Sequence, residues 1–419
     1  MTASDVSLEA DDRGGAGSLQ ETFSPSDPTN TTGDYLIVTL LSTGLAQIKA
    51  NQVRRDTDRG VVSTRQLSRP ELLPAPWRAG FTRLWWRFLQ AGLVPPEDDL
   101  TLFELCRAPF VEWDLPLELS DTDREASLLD GDELSELARE AAKLGVRDAE
   151  ADFVEEQSFA VLKAVAAMNA TTDEQAQANY ELLRRFLIDH TVISDKQVRD
   201  LMRRFPAPGA SGQPYVQSLI DTAYERHHSP APTVTVRCCG GCGNPLAVDS
   251  TSCGTAGCTG TATTRELRVF DAYFVQHRGV RRYIHDAGLL EVRLYDTLRA
   301  ELSERVVFLQ PWPGRDAFDL LVAFLDPADP DPRRPVEVWG ADGKDHASPS
   351  LLAIGFRWKH NPRCDRRFLV LPMHRVRQLG YVRDLETELE GRDNGVKVID
   401  EEEFVRRVIA RARQIGGGA

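Results

Sequence analysis

The sequence predicts a multidomain α+β protein with three parts. These are a mainly α-helical N-terminal region, a small cysteine-rich ribbon, and a C-terminal α/β domain built on a mixed central sheet. Three observations carry that prediction: helical periodicity dominates up to about residue 230, five cysteines fall within 21 residues (Cys238, Cys239, Cys242, Cys253, Cys258), and helix and strand patterns then alternate. A chain of 419 residues is also too long for one ordinary core. The boundaries expected are a disordered tail over 1–33, a partner-binding helical domain over 34–230, the ribbon over 231–262 and the α/β domain over 263–417.

The totals limit the function classes. With 42% hydrophobic and 27% charged residues the chain has the composition of a globular protein. It has no run of some 18 apolar residues and no basic-then-apolar leader, so a cytoplasmic location is expected. A net charge of −14 argues against coating nucleic acid by bulk electrostatics. The charge is uneven, however. From Thr263 onward there are 26 Lys+Arg against 25 Asp+Glu, and before it 24 against 39. The last third could approach DNA or RNA, while the acidic part suits protein partners.

Taken in order, residues 1–33 are rich in Ser, Thr, Gly, Asp and Pro and poor in large apolar side chains, the composition of a disordered tail. "DYLIVTLLSTGLAQI" is apolar enough for the core, as strand or helix. "GFTRLWWRFLQAGL" has helical spacing at Phe81, Leu84, Trp85 and Phe88, which are expected in the core. Thr172 with Gln175, and Ser194 with Gln197, each offer a capping box ahead of an amphipathic run. The two helices joined at "HTVIS" have the outline of a helix-turn-helix, although "KQVRDLMRRF" is also an ordinary amphipathic helix.

Within "RCCGGCGNPLAVDSTSCGTAGC", Cys239-x-x-Cys242 makes one thiolate knuckle and Cys253-x4-Cys258 a second, the ligand set of a structural zinc ribbon. Without an export signal, such a cluster reads as metal rather than disulfide. Four ligands close the coordination sphere, so this zinc is not expected to be catalytic. Cys238 is a spare thiol that could replace Cys239. Cys106 and Cys364 stand alone and are expected in the core.

Beyond the ribbon, "GLLEVRLYDTLRAEL" is an amphipathic helix, "FDLLVAFLD" and "VEVWG" are strands, and Ser348-Pro349 opens a helix. The strand "RFLVLP", the helix "VRQLGYVRDLETELEG", the strand "GVKVID" and a terminal helix acidic at its start and basic at its end follow. Asp319 sits at the mouth of an apolar strand. Strand alternation puts Val338, Gly340, Asp342 and Lys344 on one face and Glu337, Trp339 and Ala341 on the other. A glycine bulge at 340 would reverse that parity and make Glu337 the acid, with Lys359 supplying the positive charge. Two carboxylates and a lysine suit phosphodiester hydrolysis. Aspartates are hard ligands for Mg²⁺ (or Mn²⁺), and lysine can orient the attacking water or stabilise charge on the phosphate. His346, Arg357 and His360 lie nearby in sequence and are candidates for phosphate contact.

The constellation Asp319, Asp342-x-Lys344 resembles the PD-(D/E)xK restriction-endonuclease-like superfamily. That resemblance implies a metal-dependent nuclease in which Asp319 and Asp342 bind Mg²⁺, Lys344 assists the water and Glu291, on the preceding helix, joins the metal shell. The whole order, with "FDLLVAF" and "WGADGKDHASP" after a four-cysteine ribbon, resembles the endonuclease component of bacterial pPIWI-RE gene islands over residues 34–415. It further implies defence against invading DNA such as phage or plasmids, beside a PIWI/Argonaute-like protein and a DinG-type helicase. Many nucleases of this fold act as dimers, so a homodimer is expected by analogy. The competing reading is a non-catalytic zinc-ribbon adaptor that scaffolds a nucleic-acid-processing complex.

Overall fold

The computed structural model describes residues 33–58, 73–115, 117–145, 149–209, 212–247, 250–359, 361–390 and 395–416. The tail expected over 1–33 lies outside them except for Gly33, which opens the first helix. About half the chain is helical, with helices dominating the N-terminal region and a mixed sheet at the C-terminus. Among the described residues, no helix is long and apolar enough to cross a membrane.

The ambiguous apolar run is a helix, α1 (Gly33–Asp58), which packs with α2 (Ala75–Gln90) and α4 (Glu136–Gly145), while α3 (Asp99–Arg107) joins the same core. Leu41, Leu45, Trp77, Leu84, Phe88 and Leu102 are buried in their shared core. The core expectation holds for Leu84 and Phe88, but Trp85 is 39% exposed, because it lies off the seam that faces α1.

A second core joins α5 (Ala149–Met168), α6 (Asp173–Asp189), α7 (Asp195–Arg204) and α8 (Val216–Ala223). Ser194 forms the full capping box with Gln197, whose side chain accepts from the Ser194 amide at 2.9 Å. Thr172 caps α6, but Gln175 reaches back to Thr171 instead. The joint at "HTVIS" is a short strand, β1 (Val192–Ser194), not the tight turn of a helix-turn-helix. It pairs in a three-stranded sheet with β5 (Ala272–Gln276), whose other neighbour is β2 (Tyr224–His228). The ribbon hairpin is β3 (Thr233–Cys239) against β4 (Ala262–Arg268). Residues 263–276 therefore pair with the ribbon and the helical core, outside the C-terminal sheet.

That sheet has the order β10-β9-β8-β7-β6, from Val396–Asp400, Arg366–Leu371, Glu337–Gly343, Leu320–Phe324 and Val307–Pro311. Strands β8, β9 and β10 are parallel, while β7 and β6 run antiparallel to their neighbours. One face carries Val322, Trp339, Ala341 and Phe368 against α9 (Ala287–Glu301) and α12 (Glu401–Gly416). The other carries Val338, Leu369 and Leu371 against α10 (Pro349–Gly355) and α11 (Tyr381–Glu390). The three inner strands, β7, β8 and β9, thus bury most of both faces, which explains their largely apolar sequence.

Candidate active site and metal centre

The pairing of β7 with β8 brings the two aspartates together. The register runs unbroken from Glu337↔Phe324 to Ala341↔Leu320, so Asp319 lies beside Asp342 one step beyond its end. The Asp319 amide donates to the Ala341 carbonyl at 3.1 Å, and the Gly343 amide donates to Asp319 Oδ2 at 2.6 Å. There is no bulge at Gly340. That glycine is required for a different reason: a Cβ there would lie 2.7 Å from Cys364 Sγ and 2.8 Å from the Trp358 ring. The parity that groups Asp342 with Val338 is therefore kept.

Lys344 closes the cluster. Its Nζ donates to Asp342 Oδ1 at 2.6 Å and stands 3.9 Å from Asp319 Oδ2. Both aspartates are buried, whereas the lysine side chain keeps 31% of its surface accessible. Burial, followed by the charges of Glu291 and Asp342, holds the Asp319 carboxyl well above the usual carboxylate range, against the opposing pull of Lys344. Burial disfavours the Lys344 ammonium, but Asp342, Asp319 and Glu291 outweigh it and raise its pKa. A carboxyl pushed towards neutrality by burial and then by its like-charged neighbours marks a site short of positive charge, which fits a divalent cation among hard oxygen donors.

Glu291 projects from α9 beside this cluster, and its carboxylate is gripped by Arg184 of α6. The Arg184 guanidinium donates to Oε1 at 3.1 Å and to Oε2 at 3.0 Å, and the Trp312 indole also donates to Oε2. Arg184 pairs in addition with Asp316. Trp312, Gly314, Arg315 and Asp316 all have positive φ, a turn that bulky residues enter only at a cost. Gln177 holds that turn, donating to the Trp312 carbonyl and accepting from the Arg315 amide, both at 2.9 Å.

The rival acid lies elsewhere. Glu337, at the opposite end of β8, accepts from Trp339 Nε1 at 2.7 Å and pairs with Arg366 at 2.9 Å and Arg411 at 2.7 Å. Lys359 donates to the Asp316 carbonyl at 2.8 Å and does not meet it. His346 faces the N-terminal helices, with Nδ1 3.6 Å from Glu140 Oε2, and Arg357 donates to the carbonyls of Ile354 and Phe356. His360 lies outside the described residues.

Four cysteines meet in the ribbon. The sulfurs of Cys239, Cys242, Cys253 and Cys258 all lie within 4.8 Å of one another. Zn–S bonds of about 2.3 Å put tetrahedral sulfurs roughly 3.8 Å apart, so the set could hold one zinc ion. Cys238 alternates to the other face of β3 and is not part of the group. The ribbon is tied to the helical core, since Thr191 Oγ1 donates to the Gly243 carbonyl at 2.6 Å and Asn244 to Asp286 at 2.7 Å. Cys106 and Cys364 are buried thiols, as expected.

Sequence reasoning missed Arg184, Trp312 and Asp316. The signal for Arg184 was present: it falls in the apolar seam of Tyr180, Leu183 and Leu187, where a charge calls for a buried partner. Trp312 and Asp316 had no comparable signal, because the turn that brings them in has no regular pattern.

Two family models match the chain. Residues 288–415, which hold Glu291, Asp319, Asp342 and Lys344, match the model described as "REase associating with pPIWI_RE". Residues 59–194, which include Arg184, match "pPIWI_RE three-gene island domain Y". No curated protein and no solved structure matches the chain. The fold, the order of its parts and both matches agree: the chain is a pPIWI-RE island protein with a REase-associated, restriction-endonuclease-like domain at its C-terminus.

Proposed function

We propose that this protein is a metal-dependent DNA endonuclease of the PD-(D/E)xK type. The observation that carries the reading is the meeting of Asp319, Asp342 and Lys344 at the end of two paired strands, in a buried and electrically unbalanced cluster. In this reading Asp319 and Asp342 hold Mg²⁺ or Mn²⁺, Lys344 faces the attacking water, and Glu291 supports the same shell. When bound, the metal would polarise the scissile phosphate and acidify a water. In that arrangement Lys344 would orient the water or stabilise charge on the phosphate.

The four-cysteine set holds structural zinc, and the residues assigned to the helical domain (34–230), the ribbon (231–262) and the nuclease domain (263–417) cooperate on one chain. The island context supports partners encoded in the same island, which we take to be the PIWI/Argonaute-like protein and a DinG-type helicase, acting in the cytoplasm against invading DNA. The family context also favours DNA over RNA as substrate. Dimeric cutting is consistent with the fold class.

The test is cleavage of plasmid DNA by the full chain with Mg²⁺ or Mn²⁺. Cutting by the wild type that is lost in Asp342→Asn and kept in Glu337→Gln supports the reading. No cutting under either metal by protein that still binds its island partners would instead indicate the adaptor.

A further inference from the structure

The acidic site is not built by the C-terminal domain alone. Arg184 stands on α6, more than 100 residues upstream, inside the region matched to domain Y. It is 4% exposed, and every charged group it meets belongs to the neighbourhood of the proposed nuclease site: both oxygens of Glu291, and Asp316 in the turn that leads to Asp319. Its guanidinium carbon lies 5.0 Å from the centre of the Trp312 ring, whose indole donates to the same Glu291 carboxylate. Two helical turns earlier, Gln177 holds the backbone of that turn at Trp312 and Arg315. A single helix face therefore fixes both the carboxylate on α9 and the strained entry to β7.

We propose that Arg184 is a positioning residue of the nuclease site, supplied in cis by the domain-Y region, and that the two matched regions form one composite active site. The inference rests on the endonuclease reading and deepens it. Nη2 of the planar guanidinium donates to both oxygens of Glu291 while Nη1 reaches Asp316, so one side chain bridges the two carboxylates; a lysine ammonium would supply the charge but could not reach both. Arg184 also balances part of the negative charge contributed by Glu291, Asp316 and Asp319. The metal and Arg184 thus draw on one pool of carboxylate charge.

The test uses the full-length, zinc-loaded chain and two readouts: Mn²⁺ binding by calorimetry, with the site identified by its loss in Asp319→Asn, and plasmid cleavage. Arg184→Lys keeps the charge and loses the simultaneous hold on Glu291 and Asp316. It is expected to bind Mn²⁺ within about threefold of wild type while cutting about 10–100-fold more slowly, the usual cost of disturbing a group that orients a ligand. Arg184→Gln removes a competing cation and is expected to bind Mn²⁺ roughly tenfold more tightly while cutting is lost, an opposition that destabilisation alone does not produce. If Arg184→Gln fails to fold, Arg184→Lys alone decides. Wild-type cutting in Arg184→Lys overturns the role, as does a fall in both readouts that tracks only the folded fraction. A wild-type chain that binds no Mn²⁺ at this site overturns the nuclease reading itself, and the positioning role with it.

Discussion

Replacing Lys344 with methionine keeps the length and apolar stem of the side chain and removes one charge. The ammonium stands 2.6 Å from Asp342 and 3.9 Å from Asp319, so at an effective dielectric of about 20 the gross attractions are roughly 6 and 4 kcal/mol. Most of that is offset by the burial that disfavours the charged lysine, so these figures bound the effect. Loss of one preorganised charge at a reacting phosphate is expected to slow cleavage about 10²–10³-fold, or roughly 3–4 kcal/mol of barrier. The pH dependence gives a second reading. Asp319 is already held well above the ordinary carboxylate range by burial, Glu291 and Asp342, and Lys344 is the strongest of the groups that oppose them. Without it the carboxyl rises further, so the acidic limb of the rate profile moves to higher pH. A carboxyl whose folded pKa is raised contributes stability below its unfolded pKa and loses it as pH rises through the folded value. Lys344→Met should therefore be destabilised most at alkaline pH. Plasmid nicking and thermal melting, each followed from pH 5.5 to 9, measure both effects. Wild-type nicking, or an acidic limb that does not move, would refute the assignment.

Three further outcomes are expected. Glu337→Gln should cut within about threefold of wild type yet lose about 1 kcal/mol of stability, because Arg366 and Arg411 lose their shared charged partner at a half-exposed site; denaturant melts would show it. Cys239→Ser should abolish stoichiometric zinc while Cys238→Ser retains one zinc per chain, as read by metal analysis of the purified protein. Asp123 is buried where it accepts from Tyr35 at 2.5 Å and Ser348 at 2.7 Å, and burial pushes its carboxyl up to about 6. Its stabilising contribution is present below pH 4 and lost as pH rises to 6, by up to about 3 kcal/mol, so Asp123→Asn should gain on wild type over that window in melts recorded at successive pH values.

Much of the C-terminal domain could be read from the sequence because its strands are short, apolar and punctuated. The alternation in "VEVWGADGKD" separated Asp342 from Glu337, and the unbroken ladder with β7 and β9 bears out that parity. The edge strand β6 escaped notice since it is partly exposed, with Phe308 at 37%, and runs into a proline, so it lacks the buried pattern of its neighbours. The run "DYLIVTLLSTGLAQI" was ambiguous because Ile37, Val38 and Thr39 favour strand locally, while contacts with α2 and α4, distant in sequence, settle it as helix. Arg184 shows the same limit at the site: its spacing reveals a charge in an apolar seam, but only the fold reveals that the seam ends at Glu291.

The two glycines close to Asp342 in β8, Gly340 and Gly343, bear on how a mutational scan of this protein should be read. A side chain at Gly340 would strike Trp358 and Cys364, and one at Gly343 would come within 3.0 Å of Leu290, from the opposite face of the sheet. Gly340 will therefore score as intolerant as Asp342 itself although it carries no chemistry, whereas Gly343 accepts a side chain only if Leu290 gives way by a few tenths of an ångström. In a tolerance map of "WGADGK" the acid will not stand out from its neighbours. The discriminating signal is the isosteric change, since Asp342→Asn preserves the packing that a side chain at Gly340 would destroy.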